Sequence, residues 1–365
     1  MRTRQRNFDA VVADSKLPDM DGISLLNEIM VSYPRAVRVV LSEFDNVADT
    51  VNCVARIHRH LLKPCNANTL ANALDRALVE ATWLPNQEAR RLLSHLNWVP
   101  SPPRQYFEIT REIASPTSSL ESIGELISSD PPIAAKILQL ANSAVFGLQL
   151  EVTSLAEAVG YLGAEVTRSL VLLAHTFAEF EKIVPRGFAA EALWSHSVSV
   201  ARFAKLIAGV QRLPSDAEEQ AYSAGLLHDL GKIVLAANLP DAFSEALSRA
   251  RETRAELHRI ESGLFGANHA EIGACLLGIW SLPNAVVEAV ALHHDPSASS
   301  STEFGPVAAV HVANAFGHQW QGEAGTSLLD KLDGNYLKRL GISDQLPVWG
   351  KHCRNGAQTE VPCGA

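Results

Sequence analysis

The sequence is poor in the features that mark secreted, membrane-spanning or nucleic-acid-coating proteins. Its 365 residues hold five cysteines, Cys53, Cys65, Cys275, Cys353 and Cys363, with no C-x-x-C pair among them. That spacing excludes a disulfide framework or a thiolate metal knuckle, and reduced, inert thiols are the expected state. Charge is sparse too. Charged residues make up 19% of the chain and the formal net charge is −9, so broad electrostatic binding to nucleic acid or anionic lipid is not expected. The basic start over 1–7 turns acidic and strand-like within a few residues, unlike a signal peptide. No apolar run reaches the ~18 residues that span a bilayer; the longest, 169–180, is broken by His175 and Glu179. A soluble, cytoplasmic protein is the expectation.

What is present is apolar content, 47% of residues, enough to fill real cores over about two domains. Residues 8–80 alternate β-rich runs with amphipathic stretches: strands at 8–13, 37–42 and 60–62, and helices after Asp21-Gly22, near 46–56 and over 68–80. That alternation predicts a parallel α/β sheet. From Leu96 onward apolar residues recur at three- and four-residue spacing, which predicts an all-α region. Ser118-x-x-Glu121 and Ser154-x-x-Glu157 read as capping boxes, and Asp130-Pro131 as a capped helix start. Short helices are expected at 119–129, 131–142 and 154–180, and a good one at 306–320. The proline-rich stretch 83–103 reads as a connecting segment, and 348–365 is expected to fray. The predicted boundaries are 1–82 for an incomplete α/β domain, 83–97 for a linker, 98–320 for a helical domain and 321–365 for a C-terminal extension. Apart from the serine-rich loop after Asp295, no low-complexity tract or internal repeat is found.

Asp14-Ser-Lys-Leu-Pro-Asp-Met-Asp-Gly22 follows a buried-looking strand, so Asp14 falls at its carboxyl end, where α/β sheets present their chemistry. Ser42 ends the second strand and Lys63-Pro64 follows the third. An acid, a hydroxyl and a lysine at three successive strand ends converge on one crevice. This set resembles the receiver domain of two-component response regulators over residues 8–82. The resemblance implies Asp14 as phosphoacceptor, Ser42 as switch hydroxyl, Lys63 as phosphate-sensing cation and a sensor histidine kinase, or another signalling protein, as partner. It also implies an acidic pair that holds Mg²⁺ after a preceding strand, and nothing before Arg6 supplies one. Phosphoryl transfer to a carboxylate depends on such a cation, so Mg²⁺ binding here is not expected. The absent strand would leave an open edge at 8–13. The opening run Met1-Arg-Thr-Arg-Gln-Arg6 reads like the tail of an earlier helix, so an upstream start of the coding region is the expected explanation, ahead of a degenerate receiver kept as a dimerisation or docking surface and of a truncated fragment.

In the helical region, His196, His228, Asp229, His269, His293 and His294 lie on or at the ends of helices among apolar neighbours. Imidazoles and a carboxylate gathered from separate helices suit Zn, Fe or Mn. His175, His258 and His311 are instead expected to be hydrogen-bonded core residues. The adjacent His228-Asp229 pair stands out, because unmet buried polar groups cost about 1–3 kcal/mol each and a charge costs more. The pattern H…HD…H…HH resembles the HD phosphohydrolase superfamily. Residues 96–295 resemble more closely its relative, the HDOD (HD-related output) domain, through Ser101-Pro-Pro-Arg104, Ile127-Ser-Ser-Asp-Pro131, Leu138-Gln-Leu-Ala-Asn-Ser-Ala-Val-Phe-Gly147, Val152-Thr-Ser-Leu155 and Ala158-Val-Gly-Tyr-Leu-Gly163. The resemblance implies an all-α HD-type fold with those six residues at metal-ligand positions.

Two departures bear on catalysis. Asn314 stands where the superfamily supplies a further aspartate, and a neutral amide is a weaker ligand. No Gly-Tyr-Pro element follows His294. The expected function is therefore a signalling output module that binds a partner protein or a nucleotide-like ligand without hydrolysing it, with homodimerisation left open. The alternative is a metal-dependent phosphohydrolase in which bound cations activate water and Lys232 contacts phosphate; the bland reading of Lys232 is a solvated helix residue. Helices at 119–180 could imitate a DNA-reading motif, but Lys136 and Arg168 face five acids between Asp130 and Glu179, so nucleic acid is not an expected partner.

Overall fold

The computed structural model describes residues 8–33, 36–43, 57–83, 87–96, 98–100, 102–142, 152–184, 188–320 and 328–358. By packing the chain falls into two compact units: residues 1–101 with 231–291, and residues 102–230 with 292–365.

In the first unit, β1 (Ala10–Asp14), β2 (Val37–Ser42) and β3 (Arg59–Leu62) form a parallel sheet in the order β1-β2-β3. Helix α1 (Gly22–Ser32) is the crossover that parallel pairing of β1 with β2 requires, and α2 (Ala67–Trp83) follows β3. Asp21 caps α1 by accepting from Ser24 N at 3.0 Å. Gly22 is required there, because a Cβ would stand 1.7 Å from the Asp14 carbonyl oxygen. Among the described residues β1 pairs with β2 alone. Val37, Val39, Leu61, Ala73 and Ala77 form the core beneath the sheet. The helix expected near 46–56 lies outside the described residues.

The stretch read as a connecting segment holds a helix instead, α3 (Gln87–His95). Ala89 and Leu93, four residues apart, are buried, and its prolines bracket the helix rather than interrupt it. The rest of this unit is α11 (Leu230–Asn238), α12 (Pro240–Thr253), α13 (Leu257–Phe265), α14 (His269–Ile279) and α15 (Asn284–Leu292), with Leu230 and Leu292 themselves falling in the second unit. Arg59 is fully buried and donates to the Gly278 carbonyl near the carboxyl end of α14, where a cation complements the helix dipole. Asn238 donates to Trp98 O at 2.6 Å and accepts from Trp98 N at 2.8 Å.

The second unit is helical: α4 (Arg104–Ile113), α5 (Leu120–Ser128), α6 (Pro131–Ala141), α7 (Leu155–Leu162), α8 (Ala164–Phe180), α9 (Ala190–Val210), α10 (Ser215–Leu227), α16 (Pro306–Trp320), α17 (Gly334–Arg339) and α18 (Leu346–Gln358). The predicted single helix over 154–180 breaks at Gly163, whose φ of +85° only glycine adopts without strain. Ser154 caps α7 as expected, whereas the cap of α5 is Ser119 paired with Ser122, one residue later than the Ser118 box. The expected fraying from 348 is also corrected: Trp349 and Cys353, one helical turn apart in α18, are fully buried. A two-residue stripe is too short to register as periodicity.

Candidate metal centre

Two glycines set the frame. A Cβ on Gly225 would lie 2.7 Å from Ala201 Cα, so glycine lets α10 run against α9. That contact brings the carboxyl end of α10, which delivers His228 and Asp229, level with His196 on α9. On α16, Gly317 leaves room for the His196 ring, whose Cε1 would sit 3.1 Å from a Cβ at that position.

Five of the six expected ligand residues lie in this unit: His196, His228, Asp229 and His293 are almost fully buried, and His294 is half-buried. His228 Nδ1 lies 2.7 Å from the Gly225 carbonyl oxygen, so Nδ1 carries the proton and Nε2 presents a lone pair. Nε2 makes no hydrogen bond and lies 3.3 Å from Asp229 Oδ2, which is also 3.8 Å from His196 Nε2. An imidazole lone pair facing a carboxylate oxygen in a dry interior is repulsive unless a cation lies between them. The donor atoms of His196, His228 and Asp229 all fall within 4.8 Å of one another. Two nitrogens and an oxygen at that spacing fit a borderline divalent ion.

Around this core the His228 and His293 rings meet edge to face with centroids 5.0 Å apart, and His293 and His294 are 4.0 Å apart. Asn314 Oδ1 lies 3.0 Å from His196 Nε2, so a neutral amide touches the centre. His318, one turn further along α16, lies 4.6 Å from the His196 ring. The i, i+4 spacing of Asn314 and His318 is the signal that could have found it.

His269 lies in the first unit as the first residue of α14, with Asn268 as its cap. Its main-chain N–H and its Nδ1 both donate to Glu261 Oε2, at 2.9 and 2.6 Å. Both residues are fully buried, and the carboxylate fixes the tautomer that leaves Nε2 as the lone-pair nitrogen. Glu261 gave no signal in the sequence, because it sits on a different helix, α13. A Cβ on Gly231 would lie 2.0 Å from the His269 carbonyl oxygen, which accounts for the glycine two residues after Asp229. Lys232, in the first turn of α11, is half-buried. His311 is a hydrogen-bonded core residue as expected, and burial depresses its pKa.

On the sheet, the carboxyl ends of the strands bring Asp14 and Lys63 into an ion pair. That pair, with the Lys16 N–H donating to Asp14 Oδ1 at 3.1 Å, holds the Asp14 carboxyl below its ordinary value. Ser42 is buried and its hydroxyl meets His60 Nε2 at 2.6 Å; burial holds the His60 imidazole down at about 4. Among the described residues no cluster of three metal-ligating side chains surrounds Asp14.

Comparison with known proteins identifies the two domain types and the fold. The family model of the HDOD domain matches residues 99–296, and that of the response regulator receiver domain matches residues 1–75. An uncharacterized protein of Treponema pallidum (strain Nichols) is 29% identical over 210 residues, 57% of this chain; the match spans 40% of that relative's length. An HDOD domain protein of unknown function from Geobacter sulfurreducens aligns with a TM-score of 0.57 at 23% identity, over 77% of this chain and 99% of that one. A putative signal transduction protein from Marinobacter aquaeolei VT8 gives 0.54 at 20% identity, covering 89% and 77%. A putative phosphohydrolase from Shewanella amazonensis SB2B gives 0.52 at 24%, covering 74% and 98%. At these identities the structural likeness shows the fold. Among the described residues no helix is long and apolar enough to cross a membrane.

Proposed function

The chain belongs to the HDOD domain family and carries a response regulator receiver domain ahead of it, and from that premise we propose a cytoplasmic signalling regulator whose helical domain binds a divalent metal and a phosphate-bearing ligand without hydrolysing it. The observation that carries the reading is the buried meeting of the His228 lone pair with Asp229 Oδ2 beside the Asn314 amide. A divalent ion held by Asp229 and neutral imidazoles leaves the centre with a net positive charge, which favours an anionic ligand such as a nucleotide phosphate. The neutral Asn314 and the absence of a Gly-Tyr-Pro element after His294 support retention of ligand rather than turnover.

At the receiver end Asp14 is the phosphoacceptor candidate, with Lys63 placed to meet the incoming charge and a histidine kinase as the donor. Hydrolysis is the competing reading; a Shewanella amazonensis neighbour is itself described as a putative metal-dependent phosphohydrolase. The test is to load the full chain with Mn(II) or Zn(II) and follow cyclic dinucleotides and a generic phosphodiester. Saturable binding with no release of product is expected. Robust turnover abolished by Asp229→Ala overturns the proposal and makes the protein a hydrolase.

A further inference from the structure

Residues beyond 296 lie outside the matched HDOD region, yet they are tied to the loop that carries His293 and His294. His311 on α16 is buried. The main-chain N–H of Asp333 donates to its Nε2 at 2.9 Å, and its Nδ1 lies 2.8 Å from the carbonyl oxygen of His293. Since Nε2 accepts, the proton of the neutral ring is on Nδ1 and is donated to His293. One imidazole therefore bridges the main chain of His293 to that of Asp333.

The far end of the bridge is itself fixed. Asp333 caps α17 by accepting from Asn335 N and Tyr336 N, and takes a hydrogen bond from the Ser297 hydroxyl. Arg339 on the same helix donates to the carbonyls of Ser297 and Ser299 at 3.3 and 3.2 Å. The segment 333–339 thus straps the loop that follows His294, and the His311 bond sets the main chain of His293, whose ring stands edge-on to His228.

We propose that His311 is a positioning residue for the histidine centre, acting through the His293 main chain and anchored by the Asp333 strap. The inference rests on the metal-binding reading above for its consequence, though not for its geometry. A merely structural His311 would stabilise the fold through both bonds alike. A positioning His311 acts on the centre through the Nδ1 bond alone.

Two substitutions in the full chain separate these. In His311→Asn the side-chain amide can still donate to His293 from near the Nδ1 position but falls short of Asp333. In His311→Gln the side-chain oxygen can still accept from Asp333, but the side chain no longer donates to the His293 carbonyl. With Co(II) alone as probe, followed by its visible absorption, His311→Gln is expected to lose affinity on the order of 10-fold or more, the range of outer-shell partners of metal ligands. His311→Asn is expected to keep most of the affinity, while both variants lower the melting temperature. Equal losses, or none, overturn the proposal.

If the wild type takes up no Co(II), the metal reading falls while this inference is still decided by the His293 imidazole resonances of the metal-free protein. They should move in His311→Gln and hold in His311→Asn; movement of both or of neither overturns it. Should His311→Gln fail to fold, the exposed Arg339→Gln loosens the strap without touching the Nδ1 bond, and Co(II) affinity and the His293 resonances should stay as in the wild type. A change in either in that variant refutes the proposal.

Discussion

Changing Gly225 to alanine tests whether close approach of α9 and α10 builds the centre. A Cβ at 225 would stand 2.7 Å from Ala201 Cα, 2.9 Å from Ala201 N and 3.0 Å from Val200 O, all backbone atoms that no rotamer change can clear. Restoring an ordinary contact of 3.4 Å requires the helices to part by roughly 0.7 Å. Overpacking of this kind costs about 1–3 kcal/mol, offset by the roughly 1 kcal/mol that alanine gains over glycine within a helix. A net loss of up to about 2 kcal/mol in urea-unfolding free energy is expected, with weaker divalent-metal binding because His228 moves relative to His196. Gly263→Ala is the control: nothing lies within 4 Å of a Cβ there, so it should stabilise by up to about 1 kcal/mol. If Gly225→Ala behaves like Gly263→Ala, the close-approach reasoning is wrong.

Three further outcomes are expected. Burial holds His60 at about 4 against 6.5 when exposed, so the unfolded chain binds the extra proton between those values. This contribution to stability, roughly 3 kcal/mol at most, is complete above pH 6.5 and is lost as pH falls toward 4. Urea unfolding across that window should show a shallower decline for His60→Gln than for wild type, and parallel declines would refute it. Thiol labelling with peptide mapping should modify half-exposed Cys65 in the native protein but reach Cys275 and Cys353 only on unfolding, since both are buried and burial pushes the Cys353 thiol up to about 12. Trp349→Ala should cost about 3–5 kcal/mol in chemical denaturation; a neutral result would mean that α18 does not contribute to the core.

The parts of the fold legible in the sequence are those where one local feature suffices. Asp14, Ser42 and Lys63 were placed by strand ends alone, and the sheet brings Asp14 and Lys63 into contact while turning the Ser42 hydroxyl onto His60. The His228-Asp229 pair was marked by two polar residues amid leucines and glycines. What escaped depends on contacts between elements. Glu261 looks like any helix carboxylate until α13 and α14 bring it to His269. Helix α3 was hidden by the prolines around it, and α18 by having only Trp349 and Cys353 to bury. The break at Gly163 needed a backbone angle that apolar spacing does not encode.

The central claim is that the buried His228–Asp229 meeting holds a cation. Elemental mass spectrometry of the full-length protein, purified without chelators and exposed to Mn, Fe and Zn, tests it most directly. About one divalent ion per chain is expected for the wild type, with His228→Ala and Asp229→Ala losing it while keeping their helical circular dichroism. A folded, metal-free wild type, or an Asp229→Ala variant that retains the ion, would contradict the account.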